Sequence, residues 1–340
     1  SLHSSGTTGP AKRLWFTEAD LERTLAFFHL GMGQMVEPGE QAAILLPGAT
    51  PDSTGDLLAR ALERLGVAST ILGLCPDPAQ AARAVHTLRP AVLVGFPVQV
   101  LALARMAVHL GLEMAPVRSV LLCSDYIPGS LAHSVRELFG AEVFSHYGTV
   151  ETGLGGAVDC AAHEGCHLRE GDLLVEIIDP HTTRPVADGT WGEIVCTTLT
   201  RTGMPLIRYR TGDRGRLLPG VCGCGSAIRR LDRVQGRIDQ ERTLARGGRL
   251  ALAELDELLF ALPGLLDCTA ALVTANGRDR LHVRLTTVPG QAAAVRRSAL
   301  DRLTRYPSLR ELPVTVDLAP GTLIQPGKRT LEDHRENPRS

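Results

Sequence analysis

Between residues 41 and 146 the chain alternates short apolar runs with amphipathic stretches. "QAAILLPG" reads as a strand buried on both faces, and "TGDLLARALERLG" as a helix stopped by Gly66. "VASTIL", "AVLVGF", "RSVLLC" and "EVFSH" continue the strands. "PAQAARAVHTLR", a segment near 97–110 and "GSLAHSVRELFG" supply the helices between them. Repeated β-α-β units predict a mostly parallel sheet covered by helices, with ligands at the carboxyl ends of its strands. This α/β part spans 1–146. After Tyr147 the pattern changes: "DLLVEIID", "GEIVCTTL" and "PLIRYRTGD" read as strands with few helices, joined by the turn-rich "DPHTTRPVADGTWGE". A small antiparallel subdomain over 147–235 is expected. From 236 to 340, "ALAELDELLFAL" and "QAAAVRRSALDRLTRY" read as helices, and "LLDCTAALVTA", "DRLHVRLTTV" and "LPVTVDLA" as strands, which predicts a compact α+β unit.

Composition narrows the reading. Among 340 residues, 44% are apolar and 21% charged, ordinary for a globular protein. A net charge of −1 supplies no field for nucleic acid or an anionic membrane, so neither is an expected partner. The most apolar window, "AVLVGFPVQVLALARMAVHLGL", is interrupted by Pro97, Gln99 and Arg105, and no membrane span or signal peptide is visible, so a cytoplasmic location is expected. Eight cysteines are too sparse for a disulfide scaffold in a chain this long.

Three polar stretches carry candidate chemistry. "SSGTTGPAKR" (4–13) has the flexible backbone and hydroxyls that wrap an anion, with Lys12 beside it. In "SHYGTVETG" (145–153), Tyr147 could stack on a planar base and Glu151 could hold a hard cation. In "PLIRYRTGDRGRLLPG" (205–220), Asp213 could accept hydrogen bonds from two vicinal hydroxyls. Taken singly, the first two also read as polar turns and the third as a strand edge with a capping Asp.

Their order and spacing resemble the adenylate-forming superfamily, and within it the phenylacetate–coenzyme A ligase-like branch. The motifs that carry the resemblance are "SSGTTG", "YGTVE", "IRYRTGD", "GRID" and "GTLIQPGKR", in that order along the whole chain. The resemblance implies an acyl-CoA synthetase-like large domain, with a parallel sheet and a small antiparallel subdomain, followed by a mobile α+β C-terminal domain. It also implies a segment upstream of Ser1. The activity implied is ATP-dependent conversion of a carboxylic acid to an acyl-adenylate, then transfer to coenzyme A. An adenylating enzyme with another acceptor, or a non-catalytic nucleotide- or acyl-adenylate-binding protein, are the alternatives, and a homodimer stays open.

Carried over motif by motif, Ser4, Ser5, Gly6, Thr7, Thr8 and Gly9 embrace the ATP phosphates. Tyr147, Gly148, Thr149, Asp213 and Arg237 bind the nucleotide, Glu151 holds Mg²⁺, Asp239 is the hinge and Lys328 is the adenylation lysine. Phe96, Ser124, Tyr126 and His146 are expected to line the acid pocket. Two positions depart from the pattern. Val150 replaces the usual Thr or Ser, removing a hydroxyl that Thr149 could supply, and Gln240 replaces a frequent acidic residue.

"CAAHEGCH" and, 55 residues after His167, "CGC" offer thiolates and imidazoles of the kind tetrahedral zinc takes; reduced, unliganded thiols are the alternative. Some members of the branch show a similar pattern, which selects Cys160, His167, Cys222 and Cys224 and implies a structural Zn²⁺, with Cys166 left over.

Overall fold

The structure is a computed structural model that describes residues 1–3, 12–114, 117–244, 248–275 and 278–335. Five parallel strands stand in the spatial order Ala68–Ile71, Gln41–Leu45, Val92–Gly95, Ser119–Leu122 and Glu142–Tyr147. The three inner strands, 41–45, 92–95 and 119–122, are largely buried and mostly apolar because helices cover both faces.

One face carries helices α1 (Glu18–Met32) and α2 (Thr54–Glu63). Helix α1 begins with a capping box: Thr17 Oγ1 accepts from the Asp20 N–H at 3.2 Å, and Asp20 Oδ2 accepts from the Thr17 N–H at 2.9 Å. The other face carries α3 (Pro78–Leu88), α4 (Pro97–His109) and α5 (Gly129–Phe139). Asp77 caps α3 through the Ala79 and Gln80 N–H groups, and Gly140 ends α5 in the left-handed conformation (φ 62°).

Helix α4 is buried from Pro97 to Ala107, which accounts for the long apolar window in the sequence. It lies between the parallel sheet and the C-terminal unit, so it has no solvent face to keep polar. Arg105 within it donates to the carbonyls of Phe260 (2.7 Å) and Leu265, both in the C-terminal unit.

The antiparallel strands expected after Tyr147 fall into two sets. Ala157–Val158, Cys166–Leu168, Arg230–Leu231 and Leu217–Leu218 extend the parallel sheet to nine strands. Leu173–Ile178, Gly192–Thr198 and Tyr209–Gly215 form a separate three-stranded sheet. In the C-terminal unit, the antiparallel pair Leu265–Ala275 and Arg278–Thr287 is flanked by two parallel strands, Val314–Leu318 and Leu331–His334. Helices α6 (Leu252–Phe260) and α7 (Ala292–Arg305) belong to this unit. Among the described residues, no helix is long and apolar enough to cross a membrane.

Candidate active site

The segments that leave the parallel strands converge on a cavity of about 650 Å³. Leu46, Phe96, Cys123, Ser124 and Gly148 to Glu151 all line it, each just past the carboxyl end of its strand. Ser124 holds a left-handed backbone (φ 72°), a strained conformation for a residue with a Cβ. Phe27, Phe28 and Met32 of α1 and Leu58 of α2 make the opposite wall apolar. Gly148 leaves no room for a side chain, since a Cβ there would stand 2.6 Å from the His146 ring. Burial pushes the His146 imidazole down to about 4, so it is neutral near pH 7, and neither ring nitrogen has a hydrogen-bond partner among the described residues.

Two linked polar groups stand here, one at the polar end of this cavity and one in the cavity beside it. In the first, Lys12 Nζ donates to the Tyr209 hydroxyl at 3.0 Å, and that hydroxyl donates to Glu151 Oε1 at 2.9 Å. In the second, the Tyr147 hydroxyl donates to Asp213 Oδ2 at 2.9 Å, and Arg237 lies 3.5 Å from Asp213 Oδ1. Burial raises the Asp213 carboxyl above its ordinary range, against the opposing pull of Arg237 and of the Tyr147 hydroxyl. Tyr147 and Asp213 line an adjoining cavity of about 110 Å³. Thr149, Arg237 and Lys328 line both cavities, so the C-terminal unit brings its lysine to their junction. Asp239 sits in a single 3-10 turn, Ile238–Gln240, with its carboxylate 3.3 Å from Arg237 Nε.

The structure thus brings Phe96, Ser124, His146, Gly148, Thr149, Glu151, Arg237 and Lys328 to one cavity. Ser4, Ser5, Gly6, Thr7, Thr8 and Gly9 lie outside the described residues. Tyr126 departs from the expectation. It lines the smaller cavity instead of the apolar one, because its hydroxyl is turned to Glu257 of α6, at 3.0 Å. The sequence reading also missed α1 and Tyr209. The Thr17-x-x-Asp20 capping box was the available signal for the helix, and the place of Tyr209 within "IRYRTGD" was the signal for the tyrosine.

Away from the cavities, the ligand atoms of Cys160, His167, Cys222 and Cys224 lie within 4.8 Å of one another. Cys160 Sγ and Cys222 Sγ are 3.7 Å apart, and Cys224 Sγ is 3.3 Å from His167 Nε2. A tetrahedron with Zn–S bonds of about 2.3 Å has S···S edges of about 3.8 Å. His167 Nδ1 faces the Ile228 carbonyl at 3.2 Å, which leaves Nε2 for the cluster. Cys166 instead approaches the Ser145 carbonyl at 3.5 Å.

The family model for AMP-binding enzymes matches residues 2–200. A phenylacetate–coenzyme A ligase of Escherichia coli is 36% identical over 130 residues, covering 38% of this chain and 29% of the relative. One of Thermus thermophilus is 28% identical over 282 residues, covering 81% of this chain and 62% of the relative. The chain therefore aligns with less than two thirds of either relative. A solved 2-hydroxyisobutyryl-CoA ligase in its postadenylation state, with 2-HIB-AMP, superposes with a TM-score of 0.81 at 21% identity over 99% of this chain and 74% of its own. The same ligase with 2-HIB-AMP and CoA in its thioesterification state gives 0.64 at 23% identity, over 98% and 73%. The family match covers more than half the chain, and the curated relatives agree among themselves. The chain belongs to the AMP-binding enzyme family, in the phenylacetate–coenzyme A ligase-like branch of the adenylate-forming superfamily.

Proposed function

We propose that this chain carries the site of an AMP-forming acid–thiol ligase that activates a carboxylic acid with ATP and passes the acyl group to coenzyme A. The observation that carries the reading is Lys328. It reaches from the C-terminal unit to the junction of two cavities whose walls hold Glu151, Asp213 and Arg237.

In the first step, a carboxylate oxygen attacks the α-phosphorus of ATP, the bond to the bridging oxygen breaks, and pyrophosphate leaves. In the second, a thiolate sulfur attacks the acyl carbon and AMP leaves. The first step brings anions together, so fixed positive charge at the reacting oxygens lowers its barrier. Lys328 supplies that charge, with Lys12 on the phosphate side. Tyr147 flanks the base, Asp213 takes the ribose hydroxyls, and Arg237 holds Asp213 in place while facing the nucleotide. The apolar wall of Phe27, Phe28, Phe96 and Leu58 accommodates the body of the acid, with Ser124 and His146 beside it.

Glu151 is a hard oxygen donor beside a tyrosine hydroxyl, which fits Mg²⁺. Held there, the ion would neutralise phosphate charge. The Cys160, His167, Cys222 and Cys224 set fits Zn²⁺ with every position filled by protein, a structural site with no open position for chemistry. We assign residues 1–146 and 147–235 to one AMP-binding domain, residues 236–340 to its lid and Asp239 to the hinge.

Pyrophosphate release from ATP, measured across a panel of carboxylic acids with and without coenzyme A, tests the reading. Release that needs an acid, with thioester formed only when coenzyme A is present, is the expected result. Acid-dependent release without thioester would mean another acceptor. Nucleotide binding without release would favour the binding protein for which Val150 speaks. Metal analysis should find about one zinc per chain, and chelation should lower the melting temperature.

A further inference from the structure

Helix α5 starts without a cap of its own. Its first N–H groups need acceptors, but the N-cap residue is Pro128, which has no polar side chain and makes no capping hydrogen bond. The acceptor comes from α6, 128 residues further on. Glu257 Oε1 accepts from the Gly129 N–H at 2.6 Å, and Oε2 from the Ser130 N–H at 2.9 Å. Oε1 also takes the Tyr126 hydroxyl at 3.0 Å. A carboxylate bridging two N–H groups at a helix N-terminus is favoured by direct hydrogen bonding and by the helix dipole. Burial would raise the Glu257 carboxyl, but the Ser130 and Gly129 N–H groups and the Tyr126 hydroxyl outweigh it and hold it below its ordinary value.

The neighbour of Glu257 connects this contact to Lys328. Asp256 Oδ1 lies 2.5 Å from Arg329 Nη1, and Asp267 Oδ1 lies 3.6 Å from Arg329 Nε. The Arg329 guanidinium also lies over the Phe260 ring, 4.8 Å from its centroid. The Arg329 N–H itself crosses the seam to Asp125 Oδ2 at 3.2 Å. Each end of the pair from α6 to the lysine loop is therefore one residue from a functional contact: Glu257 beside Asp256, and Lys328 beside Arg329. Over the whole chain, the superposition on the solved ligase gives a TM-score of 0.81 in its postadenylation state and 0.64 in its thioesterification state.

We propose that Glu257 is a positioning residue for adenylation: by capping α5 from the C-terminal unit, it latches that unit in the orientation that delivers Lys328. The proposal rests on the adenylating function above. Turning the lid for thioester formation would break all three hydrogen bonds, so that half-reaction does not use the latch.

The test compares wild type with Glu257→Ala, Glu257→Gln and Tyr126→Phe. Glu257→Ala is expected to lower kcat for adenylation about 10–100-fold, with KM for ATP within about twofold. Thioester formation from supplied acyl-adenylate should stay at the wild-type rate. Glu257→Gln keeps an acceptor oxygen and should recover part of the loss, and Tyr126→Phe should cost less than Glu257→Ala. Amide hydrogen exchange reads the latch without turnover. If Glu257 holds the lid, its removal speeds exchange at Arg329 as well as at Gly129 and Ser130. Faster exchange confined to Gly129 and Ser130, with adenylation intact, would reduce Glu257 to a local cap and overturn the proposal. Equal loss of both half-reactions would overturn it too. If wild-type protein adenylates no acid, the functional reading fails, and exchange at Arg329 still decides whether the latch exists.

Discussion

Helix α1 carries its own N-terminal cap, Thr17 and Asp20, whereas α5 takes its cap from Glu257 across the seam between the two units. Asp20 also accepts from the N–H groups of Thr202 and Gly203, at 3.0 and 2.9 Å, and so ties α1 to the loop after Gly192–Thr198. Its hydrogen bonds all stay within the first 235 residues and serve one arrangement. Those of Glu257 exist only while the C-terminal unit is docked. The same device, a carboxylate on helix N–H groups, stabilises a fold in one place and selects an orientation in the other. Mutations at the first site should therefore change stability, and mutations on the lid side should change the balance of half-reactions.

The largest effect is expected on the lid. Lys328→Ala should slow adenylation by about 10²–10³-fold, the scale for losing one preorganised charge donor. ATP affinity should change little and thioester formation from supplied acyl-adenylate should persist; single-turnover assays of each half-reaction provide the check. Equal damage to both would erase the contrast between the two regions.

Asp213 lines the smaller cavity, and the proposed function gives it a binding role. Asp213→Ala should weaken ATP binding by about 1.5–3 kcal/mol, through loss of charge-assisted hydrogen bonds to the ribose hydroxyls. Calorimetry showing unchanged affinity would place the ribose elsewhere.

Asp20→Ala should cost stability without shifting the ratio of half-reactions. Burial alone would raise the Asp20 carboxyl, but the backbone N–H groups of Thr17, Thr202 and Gly203 outweigh it and hold it at about 2, against 3.8 unperturbed. The folded-state value is depressed, so the stabilisation is complete above about pH 4 and disappears as pH falls through about 2. Its size is about 2 kcal/mol. Urea unfolding of both proteins at pH 7 and pH 2.5 should show a gap that narrows with acid; a gap independent of pH would mean that the carboxylate charge is not what Asp20 contributes.

The smallest effect concerns Val150, which lines the larger cavity without a hydroxyl. Val150→Thr should raise adenylation severalfold, within the roughly 1 kcal/mol of one added hydrogen bond. No gain on a working substrate would show a pocket adapted around valine.

How far these regions were legible in the sequence depended on where their partners lie. Strands 41–45, 92–95 and 119–122 are buried on both faces, and that burial leaves uninterrupted apolar runs in the sequence. The two short Cys and His clusters show in the sequence as candidate metal ligands, but the choice of these four rested on the family resemblance before the structure joined them. Helix α1 gave a weak periodic signal because "AFFHLGM" is apolar on several sides, part facing the sheet and part facing the cavity. The strand read into "PLIRYRTGD" begins only at Tyr209, because Arg208 takes a left-handed backbone (φ 46°) that breaks the run. Glu257 lies within the helical segment "ALAELDELLFAL", and nothing near it in sequence shows that α5 lacks an acceptor.

Acid-dependent exchange of labelled pyrophosphate into ATP reports reversible acyl-adenylate formation and needs no acceptor, so it isolates the first half-reaction. Exchange is expected to require both Mg²⁺ and a carboxylic acid, to proceed without coenzyme A, and to fall about 10²–10³-fold in Lys328→Ala. Exchange that ignores the acid, or survives undiminished without Lys328, would contradict this expectation.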